Sequence, residues 1–333
     1  VRLDLMYTGL SAGTELTFMK GTNPYLHSRW DDQRGVFIPG EASAQFPVNF
    51  LGYMEVGRVS DSRAHGFAAG DVVGASWGHK TGHTANPDHD LLLKLPEGMD
   101  PMLGIYVAQM GPIAANGILH ADAEQFGAAV PFLGAGVAGR PVLVWGGGTV
   151  GLFCALFARA GGASEIVVVD PSPWRQDLAR RMGFEAMGED DAWRHAKARW
   201  HHKAGGRGAE IVFQTRARSD SLNLALRALR PQGTVIDLAF YQGGANGLRL
   251  GEEFHHNGLS LRCAQINRMP RAVAHAWDQR RLAQETLHLL EAEGELIRDH
   301  MITHVVPYDE APGFLRHLVE ARPEFLQIVF AHD

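Results

Sequence analysis

Residues 133–151, LGAGVAGRPVLVWGGGTVG, carry the spacing G-x-G-x-x-G twice: at Gly134, Gly136 and Gly139, and again at Gly146, Gly148 and Gly151. A glycine turn of this spacing cradles a diphosphate only when it leaves a buried strand and opens directly into a helix. The second copy meets that condition. It follows PVLVW, a continuous apolar run of the kind shown by a strand buried on both faces, and it precedes LFCALFARAGG, which has the length, composition and glycine stop of a helix. EIVVVD then supplies a second buried strand ending in Asp170, about twenty residues beyond the last glycine, where a dinucleotide fold places an acid for the adenosine ribose. After Gly139 the chain instead runs into RPVLVW, a proline and a strand, so residues 134–139 are expected to form a flexible loop.

The roles of the second copy follow from its chemistry. Gly146 permits the tight turn, Gly148 lets backbone approach a pyrophosphate, and Gly151 lets the helix pack close to the strand. Thr149 and Val150 open that helix, whose first N–H groups meet negative charge. Asp170 accepts both ribose hydroxyls of an adenosine and repels a 2′-phosphate, which favours NAD over NADP; Arg175, five residues on, lies along the ribose or recruits a phosphate. As a plain alternative, Asp170 caps the helix PSPWRQDLARRMG. Helical stretches such as SLNLALRALR alternate with β-rich runs such as AEIVFQT and TVIDLAFY, which predicts a doubly wound parallel sheet over residues 117–268.

At 333 residues the chain suits two domains, and with 45% apolar residues it can bury a sizeable core. Its formal charge of -6, with Lys and Arg scattered, leaves no footprint for nucleic acid or an anionic membrane, so a small diffusible substrate is expected. Cys154 and Cys263 form no CxxC pair or disulfide framework, which fits a reducing cytoplasm. The opening VRLDLMYTGLSAGTE lacks the regions of a signal peptide and reads like the middle of a strand, so a further segment is expected before residue 1. FLGYMEVGRVSDS and GFAAGDVVGASWG predict short strands with tight turns before the nucleotide domain. After it, RRLAQETLHLLEAEGEL predicts a helix and MITHVVPYDEAPGFLRHLVE a strand, turn and helix. That tail is too short to fold alone and is expected to return to the first domain, giving residues 1–116 plus 269–333 as one unit.

The motifs GLSAGTE (9–15), LGYMEVGRV (51–59), GDVVG (70–74), MGPIAANGILHA (110–121), VWGGGTVG (144–151) and LRPQGTV (229–235) resemble the medium-chain dehydrogenase/reductase superfamily over nearly the whole chain. The resemblance implies an α/β protein: a Rossmann domain inserted in a β-rich, GroES-like catalytic domain, with the active site between domains and a homodimer or homotetramer as the assembly. Locally, YTGLSAGTE and GYMEVGRV are similar to a branch of zinc-type alcohol dehydrogenases and to bacteriochlorophyllide dehydrogenases, which oxidise a hydroxyethyl side group.

The departures are informative. Where zinc members carry their three catalytic ligands, this chain has Ala12, Tyr53 and Gly111, and the family's four-cysteine lobe is absent, so no zinc is expected. GHKTGHTANPDHD offers His79, His83, Asp88, His89 and Asp90, but its glycines and proline argue for a solvated loop over a metal site. Tyr53 is the first candidate for acid/base or oxyanion donor, against simple space filling. Thr14 matches the hydroxyl of the family's proton relay, Glu15 a positional acid, and His79 is a further candidate for the same site. Tyr241, beyond TVIDLAFY, is expected to border the nicotinamide. His120, Cys154, Trp77 and Trp145 are read as packing, the His255–His256 pair as polar packing, and Asn116 as nearer the active site. Three functions stay open: a zinc-independent NAD(H)-dependent alcohol/carbonyl oxidoreductase, a quinone or enone reductase, and a non-catalytic NAD(P)H-binding protein.

Overall fold

The computed structural model describes residues 1–203 and 206–332. The chain divides into two compact units, Val1–Ala108 with Ile302–Asp333, and Gln109–Met301.

The first unit opens with β1 (Arg2–Gly9), whose alternating burial puts Leu3 and Leu5 inward. α1 (Ala12–Met19) follows, then the β2 (Ser28–Asp31) and β3 (Val36–Pro39) hairpin, β4 (Glu55–Asp61), β5 (Val72–Ala75), β6 (Gly82–Thr84) and β7 (Leu93–Lys94). β4 pairs antiparallel with β1 and β5 antiparallel with β4, while β6 pairs with the start of β1.

In the second unit, α2 (Met110–Phe126) precedes β8 (Pro141–Trp145), α3 (Thr149–Ala160), β9 (Glu165–Val169), α4 (Pro173–Arg181), β10 (Glu185–Met187) and α5 (Glu189–Arg199). β11 (Ala209–Gln214), α6 (Ser219–Ala228), β12 (Leu229–Asp237), β13 (Ser260–Cys263) and α7 (Gln279–Met301) complete it. All six strands are parallel, in the order β10-β9-β8-β11-β12-β13, so the strand order reverses between β8 and β11. That reversal is the switch point of a doubly wound fold. Val142, Leu143, Val144 and Trp145 of β8 are all fully buried, as a central strand covered on both faces requires. The strand expected over TVIDLAFY ends at Asp237, so Tyr241 lies four residues past it in a loop.

The chain then returns to the first unit with β14 (Ile302–Pro307), α8 (Ala311–Ala321) and β15 (Gln327–Ala331). β15 pairs antiparallel with β1, β14 pairs parallel with β15, and Leu10, Leu16, Val306, Leu318, Ile328 and Phe330 share one core cluster.

The boundaries differ from the sequence reading. Residues 109–116 and 269–301, expected in the β-rich unit, belong to the nucleotide unit. α7 buries Leu282, Leu289, Leu290 and Ile297, packs against α2 and α3, and is tied to α3 by the Arg159–Glu293 ion pair at 2.9 Å. An amphipathic pattern announces an apolar face without saying which partner covers it. Among the described residues, no helix is long and apolar enough to cross a membrane.

Candidate functional site

In the nucleotide unit, Gly146 adopts φ +115°, a conformation open to glycine. A Cβ on Gly151 would overlap the Gly146 carbonyl oxygen, so the third glycine is what lets α3 start directly on the turn. Gly148 is the N-cap residue of α3, and no side chain caps the helix. The first-turn N–H groups of Thr149, Val150 and Gly151 therefore face the C-terminal edge of the sheet as donors for an anion. This cradle fits a diphosphate.

Asp170 follows β9 and is 2% exposed. Its Oδ2 accepts from the Gly147 N–H at 2.9 Å and its Oδ1 from the Ser172 N–H at 2.9 Å, so it braces the turn. It does not cap α4, because Ser172 takes that place and accepts from the Arg175 N–H at 3.4 Å. Each Asp170 oxygen keeps acceptor capacity for a hydroxyl. The Arg175 guanidinium stands 3.9 Å from Asp170 Oδ2 and close to Gly148. Tyr241 donates to Asp237 Oδ2 at 3.0 Å. Burial raises Asp237 to about 6, and burial with the Asp237 charge pushes the Tyr241 hydroxyl up.

The first glycine copy forms turns rather than a phosphate site. The Asp122 carboxylate, fully buried on α2, accepts from the Gly134 N–H at 2.8 Å and the Gly136 N–H at 2.6 Å. Gly139 N–H donates to Gly162 O at 2.8 Å, and Gly134 lies against Gly161 at the end of α3. The segment expected to be a flexible loop is thus pinned by hydrogen bonds at its three glycine amides.

In the β-rich unit, Tyr53 and Thr14 come together, with His79 behind them beyond Glu15 and Ser11. Tyr53 OH donates to Thr14 Oγ1 at 3.2 Å and shares a hydrogen bond with Ser11 Oγ. Behind them, Glu15 is 4% exposed. Its Oε1 accepts from the Ser11 N–H at 2.8 Å, and its Oε2 lies 2.7 Å from His79 Nε2. His79 Nδ1 meets Thr8 Oγ1 at 2.5 Å. His79 is thus linked to Tyr53 by hydrogen bonds through Glu15 and Ser11.

Burial raises the Tyr53 pKa against the lowering effect of Ser11 and Thr14, so the phenol stays protonated. Burial opposes charge on His79, but the Glu15 hydrogen bond and charge, with that of Glu55, outweigh it and raise its pKa. Glu55, fully buried in β4, is raised mainly by burial; its Oε2 accepts from the Trp77 N–H at 2.8 Å.

Ser11, Thr8 and Glu55 escaped the sequence reading. The signal for Ser11 was a serine preceding a helix with an acid four residues on, close to a capping box. For Glu55 it was a lone carboxylate inside the apolar run of β4.

The segment 79–90 is not a loop throughout, since Gly82–Thr84 forms β6 and His83 stacks on Trp77 with ring centroids 4.9 Å apart. Asp90 accepts from the Asn86 N–H at 2.7 Å. Among the described residues, no three His, Cys, Asp or Glu side chains group as a metal site. Nor do the three zinc-ligand positions fit zinc: Ala12 has no donor, the Tyr53 hydroxyl is engaged, and a side chain at Gly111 would overlap Thr286 of α7. Cys154 and Trp145 are fully buried, and burial pushes the Cys154 thiol up. Trp77 is half-buried against His83. His120 Nε2 contacts Arg268 O at 3.2 Å, while Asn116 is fully buried and donates to Gln265 O at 2.9 Å. His255 and His256 are exposed.

The zinc-binding dehydrogenase family matches residues 149–278. The chain is 26% identical to D-guloside 3-dehydrogenase of Escherichia coli K12 over 335 aligned residues, covering 97% of this chain and 90% of that protein. It is 29% identical to a probable D-xylulose reductase A of Aspergillus clavatus over 67% of this chain and 55% of that one. Galactitol-1-phosphate dehydrogenase of Escherichia coli shares the fold at 14% identity and TM-score 0.70, over 99% of this chain and 92% of that one. So does a Sinorhizobium meliloti chain solved with NADP bound, at 18% identity and TM-score 0.67, over 99% of this chain and 91% of that one. The family match on the nucleotide unit, the end-to-end relative and the shared fold make this chain similar to zinc-binding dehydrogenases and support a pyridine-nucleotide oxidoreductase.

Proposed function

We propose that the chain is a zinc-independent, NAD(H)-dependent oxidoreductase interconverting a secondary alcohol and its ketone, with a sugar or polyol as the substrate class. The observation that carries this reading is the Tyr53 hydroxyl: protonated, half-buried, and held between Ser11 and Thr14 where zinc members bear a metal ligand. The substrate class is supported by the relatives, D-guloside 3-dehydrogenase above all.

When bound, the nicotinamide supplies or accepts the hydride. The amides of the turn after β8 and the start of α3 hold the diphosphate, and Asp170 accepts from the adenosine ribose, which favours NAD over NADP. Arg175 covers the same ribose. In the reducing direction, Tyr53 donates its proton to the carbonyl oxygen as that oxygen gains charge. Ser11 and Thr14 then hydrogen-bond the phenolate, and the proton is restored from solvent. In the oxidising direction the same hydroxyl row relays the proton of the alcohol to solvent, each hydroxyl passing one proton on as it receives another. Glu15 fixes the Ser11 backbone and, through His79 and Thr8, is itself fixed. The reading carries a homodimer or homotetramer, which mass measurement in solution checks.

Incubating the purified protein with NADH and panels of ketones, enones and quinones tests the reaction. Ketone turnover is expected; turnover of enones or quinones alone, or binding without consumption, replaces the reading. Tyr53→Phe should lower turnover by about a hundredfold, within the range general acid catalysis supplies, with little change in NADH affinity. Stoichiometric zinc whose removal abolishes turnover would overturn the metal-free part.

A further inference from the structure

Strands β8, β11, β12 and β13 end in register, with Trp145 opposite Gln214, Gln214 opposite Asp237, and Asp237 opposite Cys263. The backbone carbonyls of the middle two are occupied: Leu238 N–H donates to Gln214 O and Ala264 N–H to Asp237 O, each at 2.8 Å. Side-chain acceptors remain. Gln214 is fully buried, its Nε2 donates to Arg216 O at 2.8 Å, and its Oε1 has no partner. The bond to Arg216 O fixes the sense of the amide, because a flipped group would set two carbonyl oxygens together. A buried acceptor without a donor is rare enough to require an explanation.

Asp237, 8% exposed, accepts from the Ala239 N–H at 2.9 Å and from Tyr241 O–H at 3.0 Å, which leaves acceptor capacity on each oxygen. Tyr241 also stands 3.4 Å from Gln214 Nε2 and borders, with Arg218 and Gly243, a cavity of about 400 Å³. Two acceptors beside one another, one of them orphaned, suit a ligand group with two N–H donors.

The direction of the dinucleotide follows from the fold. Asp170 after β9 marks the adenosine side and the turn after β8 the diphosphate, so the second mononucleotide falls to the β11 and β12 side of the switch point. Nicotinamide carries a primary carboxamide, which has two N–H donors. We propose that Asp237 and Gln214 Oε1 receive the nicotinamide carboxamide, with Tyr241 holding Asp237 in place, and so fix the orientation of the ring for hydride transfer. This rests on the dinucleotide reading above.

The test is equilibrium binding, by tryptophan fluorescence at neutral pH, of NAD, its 3-acetylpyridine analogue and ADP-ribose. The analogue's methyl ketone lacks both N–H donors. Wild-type protein should bind it about tenfold more weakly than NAD, the loss of a hydrogen bond to a charged acceptor. In Asp237→Leu the ratio should fall to about twofold to threefold, Gln214 Oε1 still accepting one N–H, with ADP-ribose affinity unchanged. Tyr241→Phe keeps the ring and should lower the ratio part of the way, and it is the variant to read if Asp237→Leu does not fold. A wild-type ratio of one, or a ratio unchanged in the variants, overturns the assignment. ADP-ribose separates the two failures: wild-type protein that does not bind it refutes the dinucleotide reading itself, whereas normal ADP-ribose binding with a ratio of one refutes only the carboxamide receptor.

Discussion

Residues 134–139 and 146–151 carry the same three glycines at the same spacing, and the molecule uses their amides in opposite ways. In the first stretch the Gly134 and Gly136 N–H groups both point at Asp122, a carboxylate of the chain's own, and Gly139 N–H closes onto Gly162. In the second, Asp170 takes only the Gly147 N–H, and no side chain caps the N–H groups at the start of α3. At the first turn backbone donors converge on a carboxylate, and under the proposed function the second turn receives an anion in the same way. What separates them is whether the anion is covalently part of the chain. Three glycines are thus a statement about backbone freedom, and the element that follows decides what the freedom serves.

The third glycine of the second turn gives the largest test of that difference. A Cβ at Gly151 would overlap the Gly146 carbonyl oxygen, and Thr215 Oγ1 stands 2.9 Å away, so the helix must move off the turn. Gly151→Ala should weaken NAD binding by at least a hundredfold and cost about 3 kcal/mol of stability, both steric in origin. Titration calorimetry and thermal unfolding read the two effects. Wild-type affinity in this variant would remove the turn from the binding site.

Asp122 gives the next. Asp122→Ala leaves two buried N–H groups without acceptors and should cost about 3 kcal/mol while NAD affinity stays at the wild-type value. Burial raises the Asp122 pKa from 3.8 to about 7 in the folded state. The folded protein therefore binds this proton more tightly than the unfolded chain. The corresponding stability is fully present below about pH 4 and is lost as pH rises through about 7. Asp122→Asn does not titrate, so the stability difference between wild type and this variant should shrink across that window; denaturant unfolding at several pH values measures it. A difference independent of pH would mean that the two short N–H bonds offset the burial.

The contrast also shows what could be read from the sequence. The second turn was legible because its context is local: strand, glycines, helix, strand and acid follow one another within residues 141–170. The residues Ala12, Tyr53 and Gly111 are legible for the same reason, since they sit inside recognisable motifs. The carboxylate for the first turn was not, because Asp122 is a single acid inside a helix with no pattern tying it to glycines twelve residues later. His79 and Glu15 are 64 residues apart and meet through the pairing of β1 with β4 and β6 and of β4 with β5. Likewise the partner of α7 is not legible, because the face it covers, including the notch at Gly111 that receives Thr286, lies 175 residues away in the chain.

Asp170 sharpens the comparison at smaller scale, since it braces its turn through one amide where Asp122 takes two. Asp170→Ala should weaken NAD binding about tenfold, the value of a hydrogen bond to a charged acceptor, and raise the relative affinity for NADP by removing repulsion of its 2′-phosphate. Competition between the two cofactors measures the ratio. An unchanged ratio would leave Asp170 as a brace alone and withdraw the preference for NAD.

The smallest effect belongs to Gly139, which holds the same place in its triplet as Gly151. It is exposed, has φ +67°, and a Cβ there would meet nothing within 4 Å. Alanine at such a position is strained by its own backbone alone, at about 1 kcal/mol. Gly139→Ala should therefore lower the unfolding free energy by that amount and leave NAD affinity unchanged. The pair of alanine variants isolates context from pattern: the same substitution at the same motif position should be severe where a helix starts on the turn and mild where the chain runs on into a strand. If Gly139→Ala weakened the cofactor as strongly as Gly151→Ala, the diphosphate would have to lie at the first turn and the assignment of the two would be reversed.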